Sequence, residues 1–461
     1  LRKILFKILN EIANRIGCFT HRIKLYNVKG FKTKCSTIKK NFFILFIFVS
    51  ILALFEYFNF ETNFLFFVSL FLFVYIAYKI LYIKYKRAKK QLEYNTKVKE
   101  YLESYQPYII FYFSGNIVSG HHILTWYKYI KSTNIKFIIM TRESNYINKL
   151  LEYIKDTPII YARTIKDIDF FLPSSVKIAL YANNGAKNTH LVRFNNITHI
   201  QLLHGDSEKS PSFNPISKMY DKLFVAGQRA IDRYYENDVF IPKENFVIIG
   251  RPQVSDIEVV KTEENIGKKE QITVLLAPTW QGHYEDTNYS SVMKMADIVD
   301  CLLSRKEKIK IIFRPHPYIN MDLEENKEYF SNIEKSLKQD SNEHIFDSKN
   351  NIFDDFNQSD FIVTDVSSVP VDYLYSLKPI VHIDVNNLEQ ELKTNIVYKE
   401  YSKCVYLIKK DYSNMEDIIN NVLYDDRLFE LRKEVKNYYH GSFDIPLQDV
   451  FNRELERVLN L

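Results

Sequence analysis

From Tyr108 onward the chain alternates short, continuously apolar runs with polar stretches of helical length. A strand that is apolar at every position must be covered on both faces, which is the situation of parallel sheets connected by helices. A first series of such runs comprises Tyr108–Phe113, Ile135–Met140, Val176–Tyr181, Ile197–Leu202, Lys222–Ala226 and Phe246–Ile249. A second comprises Ile272–Leu276, Ile309–Phe313, His344–Phe346, Phe361–Thr364 and Pro379–Ile383. Two series predict an α/β chain with two doubly wound lobes, with the charged stretch Asp256–Glu270 between them. The 461 residues suit two or three domains. The expected boundaries are a basic amphipathic segment at 1–40, a hydrophobic helical hairpin at 41–83, lobes at 84–255 and 256–445, and a closing helix at 446–461. Ligands of such sheets bind beyond the carboxyl ends of the strands, so a crevice between the lobes is the expected site.

The segment ahead of the lobes points to a membrane. Residues 42–55 and 64–78 carry no charge, and the break between them holds Glu56 and Glu61. Each run approaches the ~20 residues of a spanning helix once flanking aromatics and a snorkelling Lys79 are counted. The expectation is two helices joined by a tight turn, spanning or re-entrant; a buried soluble hairpin is the alternative. Residues 1–40 contain 11 Lys and Arg against the single acid Glu11, and Lys84, Lys86, Arg87, Lys89 and Lys90 follow the apolar runs. Both basic flanks then lie on one side, which the positive-inside bias makes cytoplasmic, with the lobes on the cytoplasmic face of the inner membrane. Apolar positions interleaved with the N-terminal basic residues suit a helix lying on anionic lipid.

Several function classes find no support. Cys18, Cys35, Cys301 and Cys404 form no CxxC pair, which argues against a zinc knuckle or a disulfide framework. No nucleic-acid-binding motif accompanies the basic flanks. Neither a Walker sequence nor GxGxxG occurs, and the vicinal His121-His122 lacks a third metal ligand at suitable spacing. No metal site is expected; the sequence calls for no cofactor and leaves assistance by Mg²⁺ open. Oligomeric state is not legible.

Reactive residues cluster just after predicted strands. His204-Gly205-Asp206-Ser207-Glu208-Lys209 follows Ile197–Leu202. The glycine permits a sharp turn there, and a histidine can take a proton from a hydroxyl near neutral pH; a hydrogen-bonded turn histidine is the alternative. Arg314-Pro315-His316-Pro317 follows Ile309–Phe313, and two prolines stiffen the loop that carries an anion-binding guanidinium. Thr364-Asp365-Val366-Ser367-Ser368 precedes a helix-like run at Val371–Leu377, so the serines either help to bind phosphate at a helix N-terminus or simply cap the helix. Pro278-Thr279-Trp280 follows Ile272–Leu276, with Gly282-His283 close behind. Ser114-Gly115 and Ser119-Gly120 follow the first strand and suggest an acceptor-side edge.

Taken in order, these words resemble the CDP-glycerol glycerophosphotransferase family, the teichoic-acid-type polymerases and primases. The resemblance runs from about Tyr108 to Asp444 and includes Leu203-His204-Gly205 with Lys209, Gly250-Arg251-Pro252 with Asp256, Ala277-Pro278-Thr279-Trp280, Arg314-Pro315-His316-Pro317, Ser359-Asp360 and Thr364 to Ser368, Asp372, and Lys378-Pro379. His204-Gly205-Asp206-Ser207 stands where the family usually has His-Gly-Thr-Pro, and Asp365-Val366-Ser367-Ser368 where it often has Asp-Tyr-Ser-Ser, which marks a distinct, membrane-anchored branch.

The resemblance implies a GT-B-like pair of Rossmann-type lobes, an N-terminal acceptor lobe and a C-terminal CDP-donor lobe. It implies that His204 and His316 are catalytic and that His204 is the base. Arg314, Ser367 and Ser368 would hold the diphosphate together with His316, and Thr279 and Asp365 would lie beside the donor. Gly205, Asp206, Ser207 and Lys209 would contact acceptor or phosphate. The implied reaction moves a polyol phosphate, glycerol phosphate first among them, from CDP-glycerol or a related CDP-polyol to a hydroxyl of a lipid-linked glycan or polyol-phosphate acceptor, releasing CMP, in synthesis of a teichoic-acid-like or capsular polymer. A nucleotide-sugar glycosyltransferase and a non-catalytic membrane scaffold are the competing readings.

Overall fold

The computed structural model describes residues 24–26, 62–115, 121–206, 210–281, 290–319, 321, 324–385 and 400–460. The first limb of the expected hairpin therefore lies outside the described residues, as do Ser119-Gly120, Ser207, Lys209 and Gly282-His283. The chain divides into two compact units: Leu1–Gly120 with Ile135–Lys177, and His121–Asn134 with Ile178–Leu461.

In the first unit, β1 (Lys24–Tyr26), β2 (Ile109–Phe113), β3 (Phe137–Thr141) and β4 (Ile159–Tyr161) lie in the order β1-β4-β3-β2. β2, β3 and β4 are parallel, and β1 joins the edge antiparallel to β4. This corrects the expectation of a lipid-lying helix at residues 24–26, where the free edge of β4 recruits the segment as a strand. The second expected membrane limb also changes. It does not stop near Lys79 but belongs to one helix of 44 residues, Thr62–Tyr105. Val98 and Leu102 near its far end are buried, and the helix packs against Ile165–Phe171. Among the described residues no helix is long and apolar enough to cross a membrane.

The second unit contains the parallel strands β5 (Ile178–Tyr181), β6 (Thr198–Gln201), β7 (Lys222–Val225) and β8 (Phe246–Ile248), paired in that order. It also contains an all-parallel five-stranded sheet in the order β10-β9-β11-β12-β13, built from β9 (Ile272–Ala277), β10 (Ile309–Phe313), β11 (Phe361–Thr364), β12 (Ile380–Ile383) and β13 (Tyr406–Ile408). Alternate residues of these strands feed two separate cores. Val274, Leu276, Ile311 and Val363 pack on one face, whereas Leu275, Ala277, Ile312 and Ile362 pack on the other. Double coverage explains why the strands read as unbroken apolar runs. His344–Phe346, expected as a strand, makes only an isolated bridge from Ile345 to Ile312.

Two closing helices, Phe429–His440 and Leu447–Leu459, return to the β7–β8 side of this unit. Gly227 lies so close to the first that an added Cβ would sit 2.5 Å from the carbonyl oxygen of Tyr438. Gly250 has φ of +68°, a region open to glycine, and an added Cβ there would strike Leu447. Phe451 of the second helix brings its ring to 5.4 Å from that of Trp126. Cys301 and Cys404 are free thiols, both buried.

His382 on β12 is 2% exposed, and neither ring nitrogen has a hydrogen-bond partner. Burial pushes its imidazole down to about 4. Between pH 6.5 and 4 the unfolded chain therefore binds a proton that the folded chain refuses. The stabilisation is complete above pH 6.5 and is lost as the pH falls towards 4, with a slope of at most about 1.4 kcal/mol per pH unit. His440, also lowered to about 4 by burial, acts in the same direction. Asp372, raised to about 6 by burial, acts oppositely between pH 4 and 6. The difference between wild type and His382→Leu isolates one group: the variant should show a flatter fall of Tm from pH 7 to 4.5, and thermal melts across that range check it.

Candidate functional site

β6 ends at Gln201, and the next two residues are forced into a tight reversal. Leu203 has φ of +53°, a left-handed conformation disfavoured for a side-chain-bearing residue by about 1–2 kcal/mol. Its neighbours hold it there. Gln201 Oε1 accepts from the backbone N–H groups of Leu202 and Leu203, both at 3.1 Å. The Gln201 amide in turn donates to the Asn183 carbonyl and the Asn184 side chain. The indole N–H of Trp126 donates to the Leu203 carbonyl. The turn is thus held from the helix His121–Lys131 and from the loop after β5.

This turn presents His204. Its Nδ1 lies 3.1 Å from the carbonyl oxygen of Ala182. A carbonyl only accepts, so Nδ1 carries the hydrogen and Nε2 of the neutral ring carries the lone pair. The ring stacks on that of His122, with centroids 3.5 Å apart and planes 7° from parallel. Gly205 needs no glycine conformation, and among the described residues nothing lies within 4 Å of a Cβ built on it. The expectation that Gly205 serves the turn is therefore corrected, because Leu203 takes the left-handed position. Asp206 is 6% exposed and paired with the fully buried Arg233.

At the carboxyl ends of β9, β10 and β11 a second group assembles. Asp365 is fully buried. Its carboxylate accepts from the backbone N–H of Thr279 at 3.0 Å and from the N–H and Oγ of Ser291 at 2.7 and 2.8 Å. Asp365 therefore braces the loop after β9 rather than offering a face to a ligand, and Thr279 itself is 4% exposed. The His316 N–H donates to the Pro278 carbonyl at 3.1 Å. His316 Nδ1 accepts from the Tyr318 N–H at 3.1 Å, so its neutral ring carries hydrogen on Nε2. The two histidines are held in opposite tautomers: His204 as an acceptor at Nε2, His316 as a donor.

Arg314 departs from expectation. One guanidinium nitrogen donates at 2.7 Å to Asp355, which is fully buried, and at 2.8 Å to the Asn350 carbonyl. The guanidinium thus anchors the helix Ile352–Gln358, and its removal would leave a buried carboxylate without its counter-charge. The expected helix at Val371–Leu377 begins earlier, at Val369, and gives way after Tyr373 to a single 3-10 turn. Ser367 Oγ accepts from the Val369 N–H at 3.3 Å, whereas Ser368 makes no side-chain capping bond. Among the described residues no group of three or more His, Cys, Asp or Glu could hold a metal ion.

A small cavity of about 30 Å³ adjoins His204 and is lined also by Gly205, Asp206, Arg251 and Gln253. Arg314, His316 and Ser367 are not among the residues that line it. The two groups are connected through an ion pair instead. Arg251 pairs with Asp372, one turn beyond Ser368. Burial raises the Asp372 carboxyl to about 6 against the pull of Arg251, and Asp206 adds to the rise. Asp256 of the same sequence word pairs with Lys128 at 2.6 Å on the surface. Sequence reasoning noted Arg251 and Asp372 separately and missed their pairing. It missed Gln201, Arg233 and Gln253 altogether, since single polar residues in apolar surroundings carry no spacing signal.

The minor teichoic acid biosynthesis protein GgaB of Bacillus subtilis (strain 168) is 22% identical over 354 residues, which are 70% of this chain. The chain spans about a third of that protein's length, 36%. Among solved structures, the wall teichoic acid polymerase TagF matches at a TM-score of 0.50 and 14% identity, covering 82% of this chain and 97% of that one. A UDP-N-acetylglucosamine 2-epimerase matches equally well, at 0.50 and 12% identity over 77% of this chain and 95% of its own. These likenesses place the fold as α/β with two parallel sheets of GT-B type. Residues 114–436 match the family described as CDP-Glycerol:Poly(glycerophosphate) glycerophosphotransferase, and the chain belongs to that family.

Proposed function

We propose that this chain transfers glycerol phosphate from CDP-glycerol to a hydroxyl of a membrane-associated acceptor, releasing CMP, in the synthesis of a teichoic-acid-like or capsular polymer. Family membership gives the reaction class. The observation that supports the residue roles is the fixed tautomer of His204, which leaves a lone pair on Nε2 beside a cavity. In the proposed step Nε2 takes the proton of the acceptor hydroxyl. The hydroxyl oxygen bonds to the β-phosphorus, the bond from that phosphorus to the bridging oxygen breaks, and CMP leaves. Positioning and charge stabilisation dominate such chemistry. His316, a hydrogen donor at Nε2, and Arg314, with Ser367 and Ser368, are assigned to the diphosphate. Asp365 acts through the Thr279 loop. Lys209 and Ser207, beside Asp206, are assigned to acceptor or phosphate.

A panel of CDP-glycerol, CDP-ribitol and UDP-sugars tests the donor class. CMP release from a CDP-polyol alone supports the reading, and turnover of UDP-sugars alone would replace it with glycosyl transfer. His204→Ala and His316→Ala should each lower turnover by about 10²-fold or more with unchanged circular dichroism. Near-full activity in both would overturn the residue assignment.

The membrane attachment belongs to the same proposal. The helix Thr62–Tyr105 exposes Phe71, Phe73, Val74, Tyr78, Leu81 and Tyr85. The basic run from Lys84 to Lys90 follows directly. Apolar and aromatic side chains next to a basic collar suit insertion at an anionic, cytoplasm-facing leaflet. The full chain should co-sediment with phosphatidylglycerol vesicles and persist in part at 1 M salt; recovery in the supernatant at low salt would refute the attachment.

A further inference from the structure

The proposed transfer leaves His122 without a part. His122 lies in the first turn of the helix His121–Lys131, and Trp126 follows four residues later on the same face. Both meet the turn after β6, at consecutive residues. The Trp126 indole N–H donates to the Leu203 carbonyl, and the His122 ring stacks on that of His204. The closing helix Leu447–Leu459 fixes this helix in turn. Gln448 Nε2 donates to the Tyr129 carbonyl at 3.1 Å, and the Phe451 ring lies 5.4 Å from that of Trp126. His122 is 8% exposed, so its ring has little freedom to leave the stack.

The stack has a geometry that two neutral rings do not favour. Its centroids are 3.5 Å apart and its planes 7° from parallel, so one ring covers the other. Neutral aromatic pairs prefer offset or edge-to-face contacts with centroids roughly 4.5–7 Å apart, because their electron-rich faces repel. A neutral face against a cationic ring reverses that sign. Two cationic rings this close would repel, so the pair takes one proton. The surroundings assign it to His204. His204 Nδ1–H donates to the Ala182 carbonyl, a bond that strengthens when the ring is charged. His122 stands at the N-terminal end of its helix, where the backbone dipole opposes a positive charge. The charged side chains beside the turn offset one another in pairs, Asp206 with Arg233 and Arg251 with Asp372.

We propose that His122 is a positioning residue for His204: its neutral ring, stacked face to face, holds the plane of the His204 ring and stabilises the imidazolium that forms when Nε2 takes the acceptor's proton. This role rests on the reading of His204 as the base. His122 neither gains nor loses a proton. After the step the new hydrogen is on His204 Nε2, and Nδ1 keeps its own hydrogen and its bond to Ala182. The attraction grows only as charge develops on His204, so it acts on the chemical step rather than on substrate binding.

Two variants of the full chain separate stacking from space filling and from proton relay, with CMP release from CDP-glycerol measured on a short glycerol-phosphate oligomer. His122→Leu fills the space without a π face. It should lower kcat about tenfold while the KM for CDP-glycerol stays within about twofold of wild type. His122→Phe restores the face without a titratable nitrogen and should return kcat to within about threefold of wild type. Proton NMR reports the stack without turnover. With His204→Gln used for assignment, the carbon-bound ring hydrogens of residue 204 should lie upfield in wild type and in His122→Phe relative to His122→Leu. Wild-type kcat in His122→Leu, a His122→Phe protein that shows the upfield shifts yet is as slow as His122→Leu, or equal shifts in wild type and His122→Leu would each overturn the role. If the wild type releases no CMP at all, the transfer reading fails separately, and the ring shifts alone decide the stack.

Discussion

The hydrogen bond from His204 Nδ1 to the Ala182 carbonyl is the interaction on which the proposed chemistry depends. An imidazole exchanges tautomers readily in water, and only the form with an empty Nε2 can accept a proton from a hydroxyl there. The bond selects that form before any substrate arrives. It is effective only because the backbone around it is fixed. Leu203 is held in a left-handed conformation by the Gln201 amide on one side and the Trp126 indole on the other. Trp126 itself is backed by Phe451 of the closing helix. A residue near the end of the described chain thus supports the turn that aims a histidine more than 200 positions earlier, which gives the return of the closing helices to β7 and β8 a purpose beyond burial.

A second theme is the work given to buried carboxylates. Asp365, Asp355 and Asp372 each arrive in or near a sequence word that suggested ligand binding, and each is occupied by the protein. Asp365 collects backbone and hydroxyl donors from the loop after β9, Asp355 takes the Arg314 guanidinium, and Asp372 takes that of Arg251. A buried carboxylate is tolerated only when it is well satisfied, and once satisfied it ties the donors to one geometry. The loops that carry Thr279, His316 and Ser367 are consequently set by groups that need never touch a substrate. The neutral ring of His316 then offers Nε2–H from a loop stiffened by two prolines and a backbone bond to Pro278.

Much of the fold was legible because doubly covered parallel strands are written in unbroken apolar runs. Ile309–Phe313 and Phe361–Thr364 fall where the runs place them. β4 and β13, each three residues long, were missed. His344–Phe346 has the right composition but too few partners for a ladder. The positions of His204, Thr279, His316 and Asp365 at strand ends were also readable. Their contacts were not. Whether an aspartate faces a ligand or a backbone amide depends on a few degrees of loop geometry, and Asp365 shows that a motif residue can serve its site from behind. Gly205 is the converse case: its role looked conformational from the sequence, but the left-handed position belongs to Leu203.

The claim that His204 is preset as a proton acceptor can be read directly from the ring nitrogens. In ¹⁵N-histidine-labelled protein at neutral pH, with His204→Gln used to assign the signals, the account predicts a pyrrole-like Nδ1 and a pyridine-like Nε2 for residue 204. A hydrogen found on Nε2, or shifts averaged between the two tautomers, would contradict it.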